Sequence, residues 1–445
     1  MESHFCRTRS YDLFVTFLLV SCSLSTFLLF SEASSPNIAY KAAVYEHAVI
    51  SAPPKVVSRN EAIANMMKNI KVFEEQTKIA AERGAKIIVF PEYAVLGEDL
   101  NRTTVKSYLE EIPNPRCVKW NPSENPNAYP GTEIQREVSR IAKENKIYLV
   151  VNLGTKVPCD TKTNSSCPSD GQYQFNTNVV YSDNGTLVAV YHKRNLYIDL
   201  PFDQAPAPEY VTFDTPFGMF GTVICFDLMF KEPFLGLIKK YKIRNLAYPT
   251  AWVKIVPFYR SLMMHSGVAR AFSINILAAD LHAVKHWAHG SGLYAPSGAR
   301  AYFYDTRPNV SKLLIAEMEA ISAETPLPRS KIPKEHTDIE NKISHLNGTI
   351  LGLQYVFRAL DSLKGDIKLC KGNFCCSVVY EISEQSTPKE TYVLGVAKGH
   401  LDVEGRKLYT ETCTLSKCQD GENCVSEITG AKTIFKRFTL SGHNF

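Results

Sequence analysis

The sequence predicts an α/β fold followed by a smaller, disulfide-stapled, mainly β module, and three observations carry that expectation. Short apolar runs alternate with segments of helical periodicity up to about residue 318. The chain of 445 residues, 45% hydrophobic and 21% charged, has material for a large core. Six of its twelve cysteines crowd the end, at Cys370, Cys375, Cys376, Cys413, Cys418 and Cys424.

Taken in order, Ile38 to His47 reads as a first strand. Ser58 and Glu61 then form a capping-box pattern, Ile63, Met67, Ile70 and Phe73 recur at helical spacing, and Gly84 supplies the stop. A strand from Lys86 to Phe90 follows. A second helix–strand unit pairs Thr132 to Asn145, with Ile134, Val138 and Ile141 on one face, with the strand Ile147 to Leu153. Asp183-Asn184-Gly185 separates the runs Asn178 to Tyr181 and Thr186 to Tyr191 as a hairpin turn would, because Asn-Gly tolerates positive φ. Val211 to Phe213 and Met219 to Cys225 read as another strand pair. A helix near Phe234 to Tyr241 and strands at Asn245 to Tyr248, Asn275 to Ala279, Ala301 to Tyr304 and Lys312 to Met318 complete the domain. Residues 319–347, rich in Pro, Ser and charge, mark a linker, and the cysteine-rich module occupies 348–445.

The N-terminus carries Arg7 and Arg9, an apolar run from Leu13 to Phe30 and small residues around Ala33, the pattern of a cleaved secretory signal over residues 1–33. An uncleaved anchor helix is the alternative, since the run is close to the minimum spanning length. The end of the chain, FTLSGHNF, carries no lipid-anchor pattern. Sequons at Asn101, Asn164, Asn184, Asn309 and Asn347 point to the same secretory route. In that compartment the six terminal cysteines form bridges in one of several connectivities, and Cys159 and Cys167 flank a short loop that a local bridge would close. Cys117 and Cys225 remain; they could bond to each other, but Cys117 sits in a Pro-rich loop and Cys225 ends a buried-looking strand, which argues against that bridge. A net charge of +5 without interleaved aromatic and basic residues argues against a nucleic-acid groove; the oligomeric state is open.

Three reactive side chains stand at expected strand ends. Cys225 closes the run FGTVIC, Glu92 follows KIIVF and a proline, and Lys193 closes TLVAVYH. In sheets covered by helices, ligands collect beyond the carboxyl ends of strands, so the three groups can converge. Amide cleavage needs a nucleophile, a group to take and return protons, and positive charge for the oxyanion. Cys225, Glu92 and Lys193 supply those in turn, and the Phe226 N–H is a second oxyanion donor. The ordinary alternatives are a solvated loop carboxylate, a surface lysine and a buried structural cysteine. His282, His286 and His289 have a spacing a metal could use, but Trp287 and Gly290 argue for a loop and no acidic ligand lies close in sequence, so no metal is expected. Adjacent Cys375 and Cys376 read as two structural half-bridges rather than a redox pair.

The segments FPEYAVLGEDLNRT, DGQYQFNTNVVYSDNGTLVAVYHKRNLY, VTFDTPFGMFGTVICFD, YPTAW and GSGLYAP resemble the nitrilase superfamily, and within it the secreted vanin and biotinidase branch. The resemblance runs from about Ile38 to Met318 and resumes at CKGNFCCSVVYE and YVLGVAKGHLDVEGR. It implies an αββα sandwich over residues 34–318, a Glu-Lys-Cys triad falling on Glu92, Lys193 and Cys225, and C–N hydrolysis of a small-molecule amide partner without a cofactor. Within the branch it implies cleavage of pantetheine to pantothenate and cysteamine. Biotin amides such as biocytin are the alternative substrates, and a non-catalytic adhesion or scaffold protein retaining the fold is the alternative of another class. Tyr93, Trp252 and Tyr294 are candidates to line the pocket. The chain departs from the family pattern at Tyr93, where relatives mostly carry an acid, and its C-terminal module looks short. It also lacks two cysteines that relatives place near Ser123 and Ser139, which leaves Cys117 expected to be unpaired.

Overall fold

The computed structural model describes residues 38–197, 201–254, 260–325, 346–384, 390–403, 405–418, 424 and 432–444. The expected leader and most of the expected linker lie outside them. Two compact units result: one runs to Trp252 and resumes from His265 to Thr325, and the other takes Val253–Met264 with the chain from Pro326 on.

The first unit begins with β1 (Tyr40–Glu46), α1 (Arg59–Glu82) and β2 (Ile87–Val89), followed by α2 (Glu133–Asn145) and β3 (Tyr148–Pro158). The long hairpin β4 (Gln172–Tyr181) and β5 (Leu187–His192) comes next, then the short pair β6 (Thr212–Thr215) and β7 (Gly218–Thr222). After a single-turn α3 (Gly236–Lys239) come β8 (Asn245–Thr250), α4 (Ser261–Phe272, in this unit from His265), β9 (Asn275–Asp280), β10 (Gly292–Ala295), β11 (Gly298–Tyr302) and β12 (Lys312–Met318). They form two six-stranded sheets, ordered β12-β1-β2-β3-β4-β5 and β11-β10-β9-β8-β7-β6. Each has a parallel centre, β1-β2-β3 in one and β7-β8-β9 in the other, flanked by antiparallel strands. Central strands are buried along almost their whole length, as expected of parallel strands covered on both faces.

Helix α1 starts where the sequence says it should. The Ser58 hydroxyl accepts from the Glu61 N–H and the Glu61 carboxylate accepts from the Ser58 N–H, satisfying two donors that a helix start leaves without intrahelical partners. Its buried face, Met66, Ile70 and Phe73, lies on the first sheet, with Phe73 stacked on Phe90 at 3.9 Å between ring centroids. Gly84 takes φ of 87° just beyond the end. On the second sheet Gly221 in β7 lets the chain near α3 approach closely, since a Cβ there would stand 2.6 Å from Ile243 and 3.3 Å from Leu237. The two sheets face each other, bridged for example by the Tyr40 hydroxyl donating to Asn245 at 2.8 Å.

The second unit holds β13 (Leu346–Ile350), β14 (Leu353–Ala359), β15 (Lys364–Lys371), β16 (Phe374–Ile382), β17 (Tyr392–Val403), β18 (Arg406–Lys417) and β19 (Phe435–Asn444). They form the sheets β13-β14-β17-β18 and β15-β16-β19. A small core of Ile367, Leu369, Phe374, Val378, Leu394 and Val396 lies between them. Cys376–Cys413 joins β16 to β18 across that core, whereas Cys370–Cys375 and Cys418–Cys424 are local.

Two expectations need correction. The strand leading to the nucleophile candidate stops at Thr222, three residues early, and Cys225 opens a short 3-10 turn with φ of 43°. The apolar run Val223-Ile224 imitates a strand because it is buried, not because it is paired. Cys117, expected to be unpaired, is disulfide-bonded. It stands exposed at a turn rather than in the buried core. In the loop before β4, Cys159 pairs with Cys167.

Candidate active site

Glu92 lies three residues beyond the end of β2, and Cys225 lies three residues beyond the end of β7. Both β2 and β7 have parallel neighbours, and their carboxyl ends feed one site. Lys193 follows β5 directly, and its backbone N–H donates to the Asn176 carbonyl on the neighbouring β4 at 2.8 Å.

The carboxylate and the amine meet in the interior. Lys193 Nζ donates to Glu92 Oε1 at 2.7 Å, and both side chains are 1% exposed. Asn176 Nδ2 donates to the same oxygen at 2.7 Å, and the Ala251 N–H to Oε2 at 3.0 Å. A charge pair this deep must be surrounded by hydrogen bonds, because its mutual attraction alone does not offset the loss of water. Those bonds also fix the direction in which each group points.

A ladder of buried asparagines sets this geometry. Asn152 on β3 accepts from the Tyr93 N–H at 3.0 Å and donates to Asn176 at 2.7 Å and to Asn178 at 3.1 Å. Asn178 reaches across to the other sheet, donating to the Thr222 hydroxyl at 2.9 Å and the Val223 carbonyl at 3.2 Å. The acid side and the cysteine side are thereby joined through side-chain amides. Sequence reasoning missed these residues. The available clue was FNTNVV, which places Asn176 and Asn178 on one face of a strand where apolar residues would be expected.

Cys225 is buried and is the free cysteine among the described residues. Burial pushes its thiol well above the ordinary range, and the negative charge of Glu92 adds to this; Lys193, the Thr250 hydroxyl and the Ala251 N–H oppose it. The sulfur therefore rests as a thiol, within the electrostatic reach of both Glu92 and Lys193. The left-handed backbone at Cys225 costs about 1–2 kcal/mol for a residue with a Cβ, so the surroundings must hold it. Tyr248 on β8 does part of this, donating its hydroxyl to the Cys225 carbonyl at 2.6 Å.

The other expected residues are close by. Tyr93, at φ of 59°, stacks toward Phe202 at 6.2 Å. Phe226 follows Cys225 in the turn, its ring edge-on to Tyr197 at 5.2 Å. The Trp252 N–H donates to Asp280 at 2.8 Å, and its indole meets His265 edge-on at 5.3 Å. Tyr294 is buried with its ring 6.0 Å from His265. The loop histidines are engaged by carboxylates far away in sequence, His282 with Glu46 at 2.7 Å and His286 with Glu98 at 2.8 Å. Among the described residues no group of three side chains is arranged to hold a metal.

Comparison with known proteins agrees with this architecture. The family model for carbon-nitrogen hydrolases matches residues 47–269, and that for the vanin C-terminal domain matches residues 348–444. The chain is 37% identical over 430 residues to a pantetheinase of Mus musculus, covering 96% of this chain and 81% of the relative. It is 35% identical over 439 residues to a biotinidase of Takifugu rubripes, covering 93% and 86%. The chain belongs to the vanin and biotinidase branch of the nitrilase superfamily. It is a hydrolase of amide C–N bonds. As a carbon-nitrogen hydrolase it carries the family's domain and the vanin C-terminal domain in one chain. The crystal structure of Saccharomyces cerevisiae Nit3, a member of branch 10 of the nitrilase superfamily, superposes with a TM-score of 0.46 at 20% identity, covering 64% of this chain and 92% of that one. Among the described residues, no helix is long and apolar enough to cross a membrane.

Proposed function

We propose that this hydrolase cuts the amide of pantetheine, releasing pantothenate and cysteamine, with Cys225 as nucleophile, Glu92 as proton carrier and Lys193 as oxyanion donor. The observation that carries the mechanism is the sealed pair of Glu92 and Lys193 at 2.7 Å, in the electrostatic neighbourhood of a buried free thiol. The substrate follows the run of pantetheinases at 37–38% identity, and the biotinidase at 35% keeps biocytin as the competitor in the test.

Glu92 takes the Sγ proton as the sulfur attacks the carbonyl carbon. The oxyanion forms against Lys193 Nζ and the Phe226 N–H. Collapse breaks the C–N bond, and Glu92 returns the proton to the departing amine, leaving a thioester on Cys225. Water then gives its proton to Glu92 and attacks the thioester, and the expelled sulfur recovers that proton as the acid leaves. One water is consumed for each amide cut, and no other reagent is required.

Four described disulfides fit an oxidising compartment, and all five sequon asparagines are exposed, which supports a secreted, glycosylated protein with residues 1–33 as its leader. Initial rates on pantetheine and biocytin with one purified preparation test the substrate. A kcat/KM about tenfold or more higher for pantetheine is expected, a margin of roughly 1.4 kcal/mol in transition-state binding. A preference for biocytin would overturn it.

A further inference from the structure

Asp227 lies two residues beyond Cys225 and is fully buried. Its Oδ2 accepts from the Tyr191 hydroxyl at 2.7 Å and the Ile224 N–H at 3.2 Å. Its Oδ1 accepts from the Asn195 backbone N–H at 2.8 Å and from Asn195 Nδ2 at 2.9 Å. Tyr191 and Asn195 flank Lys193 two residues to either side, and Ile224 immediately precedes Cys225. One carboxylate thus grips the strand end that presents the amine and the turn that presents the thiol.

We infer that Asp227 is a positioning residue whose ionised carboxylate sets the distance between Lys193 and Cys225, and whose protonation switches the hydrolase off in acid. The inference rests on the assignment of Lys193 and Cys225 as catalytic residues. All four contacts are donors, which only a carboxylate can receive in full; a protonated carboxyl must give up one acceptor position to its own hydrogen. The bond lost is one that clamps either side of Lys193 or the entry to the Cys225 turn. Because the turn holds a left-handed cysteine, loosening it permits the nucleophile to relax out of line, and small displacements of reacting groups cost rate steeply.

The surroundings place this titration in an accessible range. Burial raises the carboxyl from 3.8 to about 6, against the opposing pull of Tyr191, the Lys193 charge and the backbone donors. The other charged groups nearby are engaged. Glu209 binds the His192 ring at 3.0 Å, and the Glu232 carboxylate accepts from Tyr210 at 2.8 Å while its carbonyl accepts from Asn195 Nδ2 at 3.0 Å. Glu92 is held by Lys193. Turnover therefore rises as pH increases through about 6. Stability runs the other way: a carboxyl with a raised folded pKa contributes stability fully present below about 3.8 and lost as pH rises through about 6.

The test is the pH dependence of kcat on pantetheine and of Cys225 alkylation by iodoacetamide, in the full chain and in Asp227→Asn and Tyr191→Phe. The wild type is expected to show a break near 6 in both readouts. In Asp227→Asn the break disappears and kcat falls about a hundredfold with KM changed less than about threefold, the split expected when orientation rather than binding is lost. In Tyr191→Phe, which removes one donor to the carboxylate, the break moves to higher pH and kcat falls about tenfold. A break that persists unmoved in both variants, or variants that lower only the melting temperature, would overturn the assignment. Wild-type alkylation with the break but no turnover of pantetheine would instead sink the substrate reading while leaving the clamp standing. Should Asp227→Asn fail to fold, Tyr191→Phe decides alone.

Discussion

At their cores the two units of this chain use cysteine in opposite ways, although the first also carries the local bridge Cys159–Cys167 on a loop. In the first, a large apolar core and a lattice of buried hydrogen bonds carry the structure, and the thiol at its centre is left free. In the second, a core of a few side chains is held by three bridges, and every described cysteine is bonded. A thiol survives oxidation by being enclosed, whereas a module with little core survives by giving its thiols up to cross-links. Breaking one kind of cysteine should therefore change chemistry without stability, and breaking the other should do the reverse.

The largest effect expected is on the free cysteine. Cys225→Ala removes the sulfur proposed to form the thioester, so hydrolysis should vanish, while the melting temperature stays within the small range of a near-isosteric core change. Near-normal turnover in this variant would end the mechanism. Next, Lys193→Ala should lower kcat by roughly two to three orders of magnitude, about 3–4 kcal/mol, as for a lost oxyanion donor. It also leaves Glu92 unpaired in the interior, so stability should fall too. Lys193→Arg should rescue poorly, because a planar guanidinium cannot occupy the place of a compact ammonium. Full rescue would reduce Lys193 to the partner of an ion pair.

The comparison was partly visible in the sequence. Glu92 and Lys193 were legible because each follows a short apolar run that is a strand, Lys193 directly and Glu92 three residues on, and the terminal cysteines were legible as bridged because of their number and crowding, though not in their pairing. Cys225 was legible as a residue but not as a conformation: Val223 and Ile224 are apolar because the site entry is enclosed, and that imitates a paired strand. Helix α4 was missed because SLMMHSGVARAF offers neither a regular polar face nor a clear cap, and β10 because Gly292–Ala295 is too short to show periodicity. The asparagine ladder and Asp227 depend on contacts between strands far apart in the chain, and polar residues in strands carry no local sign of which partner they meet.

Among the bridges, the effect should follow the length of chain each one closes. Removing Cys376–Cys413 as a double Ala variant frees a separation of 37 residues and should cost about 4 kcal/mol in the chain-entropy account. Removing Cys418–Cys424, with a separation of 6, should cost about 2 kcal/mol. Unfolding monitored by calorimetry, alongside turnover measured well below the transition, separates the two readouts. Equal costs for the two bridges would show that strain or contacts, not loop closure, decide the module's stability. A titration with reductant extends the contrast: Cys225, enclosed and protonated, should keep its turnover through mild oxidation and low doses of thiol, whereas high doses should lower the melting temperature through the bridges.

The smallest effect tests the other half of the comparison, that the first unit is held by distributed packing rather than by any single link. Ser58→Ala removes the hydroxyl that accepts from the Glu61 N–H and leaves Glu61 to cap alone. The expected cost is about 1 kcal/mol, a shift of roughly 2–4 °C for a domain of this class. Helix α1 should survive because Met66, Ile70 and Phe73 remain buried along its length, and turnover should not change because neither Ser58 nor Glu61 touches the site. Should the loss approach that of the Cys376–Cys413 bridge, the first unit would depend on its helix start as the second depends on its cross-link, and the contrast between packing and stapling would not hold.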